Sequence, residues 1–340
     1  MENKVFDVVP YSPTAKAEWD KAAAGARQRA FLFRRDYMDY HADRFRDASL
    51  MLYDSKGRLR GLFPANVSNT VARRVESHGG LTYGGLLTAE DCGTADCMAM
   101  LDAAAAHFAR TGFTSLLYKC VPHIYHDTPA EEDLYWLFRR GAQLSVRNVS
   151  TVVTLAAEPH YSTLRRRKMH RAERLTPPLR MVTGAEWLPA YWAALEEVLR
   201  KRHNAKPVHT LAEITRLAAL FPEEIQLYAA IQTGSDATSG ETGTGNRDTL
   251  LAGCLVYRTP LVAHLQYIAC TDAGYDRCAL DWLTDRLAES ERERQHPARY
   301  LDFGTSNEDG GRVLNEGLIF QKEGFGARAV CYDQYLVPLA

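Results

Sequence analysis

The strongest constraint on the fold is an order of predicted elements that occurs twice along the chain. Residues 49–87 alternate short β-prone stretches with turn residues, a pattern that predicts three strands. A helix with apolar residues three and four positions apart comes next, and residues 113–118 predict the strand that follows it. Three strands within 225–270, a helix and a strand over 300–303 repeat this order. The order predicts an α/β protein with mixed sheets and two similar halves.

Capping patterns indicate where two of the helices begin. Thr128 with Pro129 and Glu131 predicts a helix that starts at the proline. Thr210 with Glu213 has the pattern of a capping box, in which each side chain bonds to the other residue's backbone N–H. The helix at Thr210 is one of three that join the two halves.

The elements divide the chain into three predicted parts. We expect an N-terminal domain over residues 1–160, a helical linker over 161–222 and a C-terminal domain over 223–340. Residues 233–248 are rich in Gly, Ser and Thr, which favours a hairpin tip between the first two strands of the second half.

Composition excludes several classes of protein. Apolar residues make up 46% and charged residues 24% of the chain, which is typical of a folded globular protein. No apolar run approaches the roughly 18 residues of a membrane-spanning helix, and the N-terminus lacks a leader pattern, so we expect no membrane span and a cytoplasmic location. The 41 basic and 42 acidic side chains leave a formal charge of -1, which argues against DNA as a partner.

Cysteine spacing and motif searches exclude two kinds of site. The seven cysteines form no C-x-x-C pair, so we expect reduced thiols and no metal site. No G-x-S-x-G segment is present, which argues against a serine hydrolase.

Two segments near the C-terminus support a family resemblance. Residues 301–311 read LDFGTSNEDGG and residues 317–326 read GLIFQKEGFG. Together with the repeated order of elements, these segments resemble the FemABX-type tandem-GNAT transferases. The matching residues are Asp302, Phe303, Gly304, Lys322, Phe325 and Gly326.

The resemblance implies a reaction and its partners. It implies transfer of an acyl or aminoacyl group from an activated donor to a small-molecule amine, in a central cleft between the halves and without a covalent enzyme intermediate. A cell-envelope or nucleotide-sugar precursor is the acceptor that the resemblance suggests. A catalytically inactive tandem-GNAT protein that binds such a ligand is the alternative.

The donor stays open at this point, and the cofactor is unknown. GNAT enzymes that use acetyl-CoA carry a Gln or Arg followed by xxGxG or xxGxA, where backbone N–H groups hold the pyrophosphate. The corresponding turns here, over 88–97 and 271–280, do not fit that pattern, although Gly274 could form part of it. FemABX-type proteins that use aminoacyl-tRNA lack the motif too. Acyl-CoA therefore stays a candidate, and tRNA is a second one.

The strand over 262–270 contains the first group of candidate site residues. Alternation predicts His264 and Gln266 on one face and Tyr267 on the other. We expect His264 to be catalytic, and Gln266 and Tyr267 to bind substrate. Buried structural hydrogen bonds are the alternative for the polar pair.

The resemblance segments supply the next candidates. Asp302 stands at the carboxyl end of a predicted strand, where it could accept a proton or hold an ammonium group. Lys322 is a candidate anchor for a phosphate or for the oxyanion of the reaction. Asn315 is a candidate for substrate binding. For Asp302, capping a helix or pairing with an arginine is an equal alternative.

The predicted linker holds the last candidates. Arg202, His203 and His209 follow a helix, whose C-terminus favours cations, and could clamp an anionic substrate. A solvated helix end is the alternative. Residues 165–174 carry six cations that could contact tRNA phosphates or a pyrophosphate, or could form a solvated face paired with acids.

Overall fold

The computed structural model describes residues 4–233 and 248–339. Its helices are α1 (Lys16–Ala24), α2 (Arg35–Met38), α3 (Thr94–Arg110), α4 (Glu132–Arg139), α5 (Thr163–Glu173), α6 (Leu188–His203), α7 (Leu211–Leu220), α8 (Asp272–Asp276), α9 (Ala279–Arg292) and α10 (Glu316–Glu323). Its strands are β1 (Phe6–Pro10), β2 (Leu50–Asp54), β3 (Leu59–Phe63), β4 (Asn66–Val67), β5 (Arg74–Glu76), β6 (Leu87–Thr88), β7 (Ser115–Lys119), β8 (Gln143–Thr154), β9 (Leu179–Thr183), β10 (Ile225–Thr233), β11 (Asp248–Arg258), β12 (Val262–Cys270), β13 (Tyr300–Thr305), β14 (Asn307–Glu308), β15 (Val313–Leu314) and β16 (Arg328–Pro338). Most of the predicted hairpin tip, residues 234–247, lies outside the described residues.

The chain folds into two compact units. The first unit contains residues 1–150, 305–315 and 330–340, and the second contains residues 151–304 and 316–329. The predicted linker, residues 161–222, falls within the second unit. The boundaries at 160 and 222 stay a prediction.

The first unit forms its core around α3. In one sheet β1, β2, β3 and β6 lie side by side, and β4, β5, β7 and β16 follow one another in a second sheet. Helix α3 buries residues spaced three and four apart, among them Met100, Leu101 and Phe108, because this spacing puts them on one face. Trp136 of α4 is buried in the same core.

The second unit packs helices on both faces of its sheet. Strands β13, β12, β11, β10 and β9 lie in that order, and only the pair of β12 with β13 among them is parallel. Leu283 and Leu287 of α9 share one core with Met169 of α5. Helix α6 packs against β12 and β11, and Tyr191 lies so close to Gly253 that a Cβ there would be 2.4 Å from its ring.

The two capping predictions had different outcomes. Helix α7 follows Thr210, whose Oγ1 accepts from the N–H of Glu213 at 3.2 Å while Glu213 Oε2 accepts from the N–H of Thr210 at 2.7 Å. The capping box is confirmed. The predicted start at Pro129 is wrong, because α4 begins at Glu132 after a cap residue, Glu131, that makes no side-chain capping bond.

Candidate active site

The site begins where two parallel strands of the second unit stop pairing. Strand β12 pairs with β13 through Val262 with Tyr300, Ala263 with Leu301 and His264 with Asp302. Both strands continue beyond the last pair, to Cys270 and Thr305. Their facing edges therefore diverge after His264 and Asp302, where the ladder between the two strands ends.

His264 and Asp302 form a hydrogen-bonded pair at this point. His264 Nδ1 lies 2.8 Å from Asp302 Oδ2, and Asp302 Oδ1 accepts from the backbone N–H of Gly304 at 2.9 Å. Asp302 is fully buried, whereas the His264 side chain is 13% exposed. A carboxylate only accepts hydrogen bonds, so Nδ1 carries the proton and Nε2 of a neutral ring has a free lone pair. The pair has the arrangement of a general base and the group that orients it.

Lys322 contacts the same segment of β13. Its Nζ donates to the carbonyl of Gly304 at 2.8 Å, and the side chain is buried. Burial lowers the pKa of Lys322 to about 8, although the nearby Asp302 acts in the opposite direction. Gly304 has a φ of +73°, which few other residues adopt, and this conformation directs its N–H to Asp302 and its carbonyl to Lys322. Lys322 keeps its proton at neutral pH and supplies a buried positive charge.

Lys322 also lines a cavity of about 180 Å³. Its apolar wall contains Ile268 and Cys270 of β12, Phe303 of β13, Leu280 of α9, and Leu318 and Phe325 in and after α10. Three cations, Arg165, Arg202 and Lys322, also line it. Burial raises the pKa of Cys270 to about 12, so its thiol stays protonated and is not an activated nucleophile. The cavity suits an apolar group with a polar end.

A β-bulge in β12 corrects the predicted alternation. Leu255 pairs with Tyr267 but the next residue, Val256, pairs with Leu265, so Gln266 is an extra residue without a partner opposite it. The side-chain parity changes there: Tyr267 lies on the face of His264, not on the opposite face. Gln266 Oε1 is buried, and no described group hydrogen-bonds to it.

Comparison with known proteins shows the fold. No protein-family model matches the sequence, and no curated protein matches it at a significant level. The crystal structure of FemX is similar with a TM-score of 0.67 over 96% of each chain, at 11% identity. A tandem GNAT protein from the clavulanic acid biosynthesis pathway gives a TM-score of 0.52 over 98% of this chain and 99% of its own, at 12% identity. The chain has a FemABX-like tandem-GNAT fold.

A third solved structure is also similar in fold. The C-terminal domain of a putative lysylphosphatidylglycerol synthetase from Agrobacterium fabrum has a TM-score of 0.56, at 11% identity. The alignment covers 96% of this chain and 92% of that one. At such identities the similarity concerns the fold.

The binding residues predicted in the linker do not all lie at the cavity. Arg202 lines the cavity, and its guanidinium lies 4.2 Å from the ring centre of Tyr275. His209 is buried, and its Nδ1 lies 2.7 Å from the hydroxyl of Tyr267. His203 ends α6, and its side chain is not among those described. The structure thus brings Arg202 to the cavity and pairs His209 with Tyr267.

Asn315 belongs to the other compact unit. In the first unit its Nδ2 donates to Glu308 Oε1 at 3.3 Å. Its role in substrate binding stays a prediction.

Arg165 lines the cavity, whereas the sequence predicted it only as one of the six cations of residues 165–174. It is buried, donates to Asp281 and to the carbonyl of Gln321, and its guanidinium lies 4.7 Å from the ring centre of Phe325. Arg165, Met169 and Ala172 are the buried residues of α5, at a spacing of four and three. That spacing was the signal that Arg165 faces inward.

The outer face of α5 presents exposed arginines. Arg166, Arg167, Arg171 and Arg174 are exposed, and no ion pair within the described residues includes them. His170 and Glu173 pair with each other at 3.2 Å. Of the six cations in the run, Arg165 and Lys168 pair with Asp281, and the other four lie on an exposed face.

Gly274, a residue of α8, has a packing role. Thr271 caps α8, and its Oγ1 accepts from the N–H of Gly274 at 3.0 Å. A Cβ at Gly274 would lie 2.1 Å from the carbonyl oxygen of Leu251, so only glycine lets α8 approach β11 this closely.

Within residues 4–233 and 248–339, no three or more His, Cys, Asp or Glu side chains are grouped as metal ligands. Across the same residues, no helix combines the length and the apolar character needed to cross a membrane.

Proposed function

We propose that this protein is an acyltransferase that moves an acyl group from an activated donor to an amine, without a covalent enzyme intermediate. The observation that carries the proposal is the His264–Asp302 pair at the point where β12 and β13 stop pairing. Lys322, which donates to Gly304 of β13, also lines an apolar cavity. Direct attack by an amine requires a base for its proton and a pocket that holds the acyl group.

His264 acts as the general base in this mechanism. The amine nitrogen bonds to the donor's carbonyl carbon, and Nε2 accepts the proton that the nitrogen loses. Asp302 accepts from Nδ1, which keeps the ring in the required tautomer and stabilises the imidazolium. When the leaving group departs, it takes the bonding electron pair and the proton returns from His264 to it. Because both oxygens of Asp302 accept hydrogen bonds from protein groups, His264 is the better candidate base of the two.

Lys322 and the bulge are the candidates for stabilising the oxyanion. The carbonyl oxygen becomes negatively charged when the amine adds, and a buried cation stabilises that charge strongly. Lys322 lies on the cavity wall. The bulge takes Gln266 out of register with β11, so its backbone N–H is a candidate second donor. The alternative role of Lys322, binding a phosphate, uses the same charge.

The fold neighbours support transfer chemistry at a coarse level. They include FemX, a tandem GNAT protein and a putative lysylphosphatidylglycerol synthetase. A cell-envelope or nucleotide-sugar amine as acceptor, and a cytoplasmic location, belong to this proposal.

A donor and acceptor screen tests the proposal. Purified protein is incubated with acyl-CoA species or aminoacyl-tRNA and a panel of amines, and amide formation is followed by mass spectrometry. For any active pair, His264→Gln should lower kcat by about 10²-fold or more. The control is His170→Gln, a histidine of the same unit whose side chain is 70% exposed.

The same screen also tests the second candidate function. A tandem-GNAT protein that binds ligands without turnover is favoured by one observation, the absence of the pyrophosphate motif from the turns over 88–97 and 271–280. Ligand binding without any product would support that alternative. Equal kcat in His264→Gln and wild type would contradict the acyltransferase mechanism.

A further inference from the structure

The cavity that Lys322 lines has an uneven distribution of charge. Among its described lining residues, Arg165, Arg202 and Lys322 are cations and none is a carboxylate. The other polar side chains are neutral, such as Thr284 and Gln321. A ligand group in this cavity therefore meets positive charge and apolar surface.

Acids that lie near the cavity cations already have cationic or N–H partners. Asp272 Oδ1 lies 3.5 Å from Arg202 Nη2, and its Oδ2 lies 3.7 Å from Lys201 Nζ. Asp281 is buried and pairs with Arg165, with Lys168 Nζ at 3.8 Å from its second oxygen. Asp302 accepts from His264 and Gly304. An ammonium group in the cavity would lose its hydration without gaining a carboxylate in exchange, and such burial is unfavourable.

From this wall we infer that the transferred acyl group has no ammonium group: the donor carries an apolar, uncharged acyl chain and not an aminoacyl group. The inference rests on the proposed function and narrows it, because two classes of donor were open. The carbonyl oxygen of a neutral acyl group can accept hydrogen bonds from the cationic wall, while its carbon chain contacts Ile268, Leu280 and Phe303. An α-ammonium group would be repelled by the same cations.

Three amides of nearly equal size test the inference without a known acceptor: N-propylisobutyramide, N-propyl-lactamide and N-propyl-alaninamide. They differ only in the group on the α-carbon, which is a methyl, a hydroxyl or an ammonium group, respectively. Their dissociation constants are measured by titration with NMR detection at pH 7. Ile268→Trp, which fills the cavity, should abolish binding of all three and so locates the site.

The expected order follows the charge. The isobutyramide should bind tightest, and the alaninamide at least tenfold more weakly than the lactamide. Gln321→Glu adds a carboxylate at an exposed position of the wall and should reduce the ratio of alaninamide to lactamide dissociation constants at least threefold. Gln295→Glu, an exposed position of the same unit away from the cavity, should leave that ratio unchanged.

The outcomes separate the inference from the proposed function. An alaninamide that binds within twofold of the lactamide overturns the inference and leaves the acyltransferase proposal standing. If none of the amides binds, the cavity is not an acyl site and the inference falls, whereas turnover in the screen still decides the proposed function. Binding that Ile268→Trp does not affect overturns the inference as well.

Discussion

Asp302 accepts hydrogen bonds from His264 and from the backbone of Gly304, and this double contact makes its effect on His264 testable. Asp302→Asn keeps the size of the side chain but replaces one acceptor oxygen by an NH₂ group. Either His264 or Gly304 then faces a donor. We expect kcat to fall by about 10²- to 10⁴-fold with KM changed little, because the ring loses its tautomer and its counter-charge.

Steady-state kinetics with the substrates found by the screen measures this effect. Asp276→Asn, on the exposed side of α8, is the control and should have wild-type kcat. A rise in KM with an unchanged kcat would mean that Asp302 binds substrate and does not act through His264.

Lys322 gives the molecule a specific dependence of stability on pH. Burial lowers its pKa from 10.5 to about 8, so between these values the unfolded chain binds more protons than the folded one. The free energy of unfolding should therefore rise with pH in this window, by up to about 1.4 kcal/mol per unit, and show no slope from this group below pH 8. In Lys322→Met that rise should be absent.

Urea unfolding at several values between pH 7 and 10 checks the prediction. The difference between wild type and Lys322→Met is the quantity of interest, since other groups titrate in both proteins. Lys56→Met, at an exposed turn, should follow the wild-type curve. Parallel curves for wild type and Lys322→Met would show that the pKa of Lys322 is not lowered.

At the scale of elements, the bulge in β12 and the side chain of Gln266 can be tested by separate variants. Gln266 has no partner opposite it, while Leu265 and Tyr267 pair with consecutive residues of β11. Deleting Gln266 should restore a regular ladder without changing the face of any neighbour. We expect the deletion variant to fold and to lose at least about 10²-fold in kcat, because the local backbone is repositioned beside His264.

Gln266→Ala is the matched variant for this prediction, since it keeps the extra residue and removes only the amide. It should keep kcat within about tenfold of wild type. Circular dichroism and thermal melting confirm folding of both variants. If the deletion retains activity while the alanine variant loses it, the amide and not the bulge is the functional feature.

At the scale of the whole molecule, the two units differ in how the chain supplies them. The core of the second unit is formed by residues from Val153 to Ala327, including parts of α5 and β9. A fragment of residues 151–329 contains this whole core and should fold alone. A fragment of residues 223–340 lacks α5, α6, α7 and β9, which leaves the core exposed, and should not fold.

Near-UV circular dichroism and cooperative urea unfolding distinguish the two fragments. A cooperative transition for 223–340 would support the boundary at 222 that the sequence predicts. Failure of 151–329 to fold, with the full chain stable, would mean that the second unit needs the rest of the chain.

Local sequence patterns predicted those elements whose formation depends on interactions between residues close together in the chain. The repeated order of strands and helices follows from apolar periodicity, and it led to the tandem-GNAT resemblance that the fold comparison supports. The box at Thr210 and Glu213 was predictable because both bonds lie within four residues. The start at Pro129 failed although its pattern was similar, because capping patterns indicate only a preference that the surrounding structure can override.

The sequence by itself determined the fold class, the order of the elements and the segment that holds Asp302 and Lys322, because periodicity and short motifs act through neighbours along the chain. Tertiary structure alone decided that His264 meets Asp302, since these residues come from different strands that are adjacent for only three pairs. It also decided the bulge at Gln266, which reverses the face of Tyr267, and the inward position of Arg165. Register, divergence of strands and the walls of a cavity depend on packing between distant segments, and no local pattern encodes them.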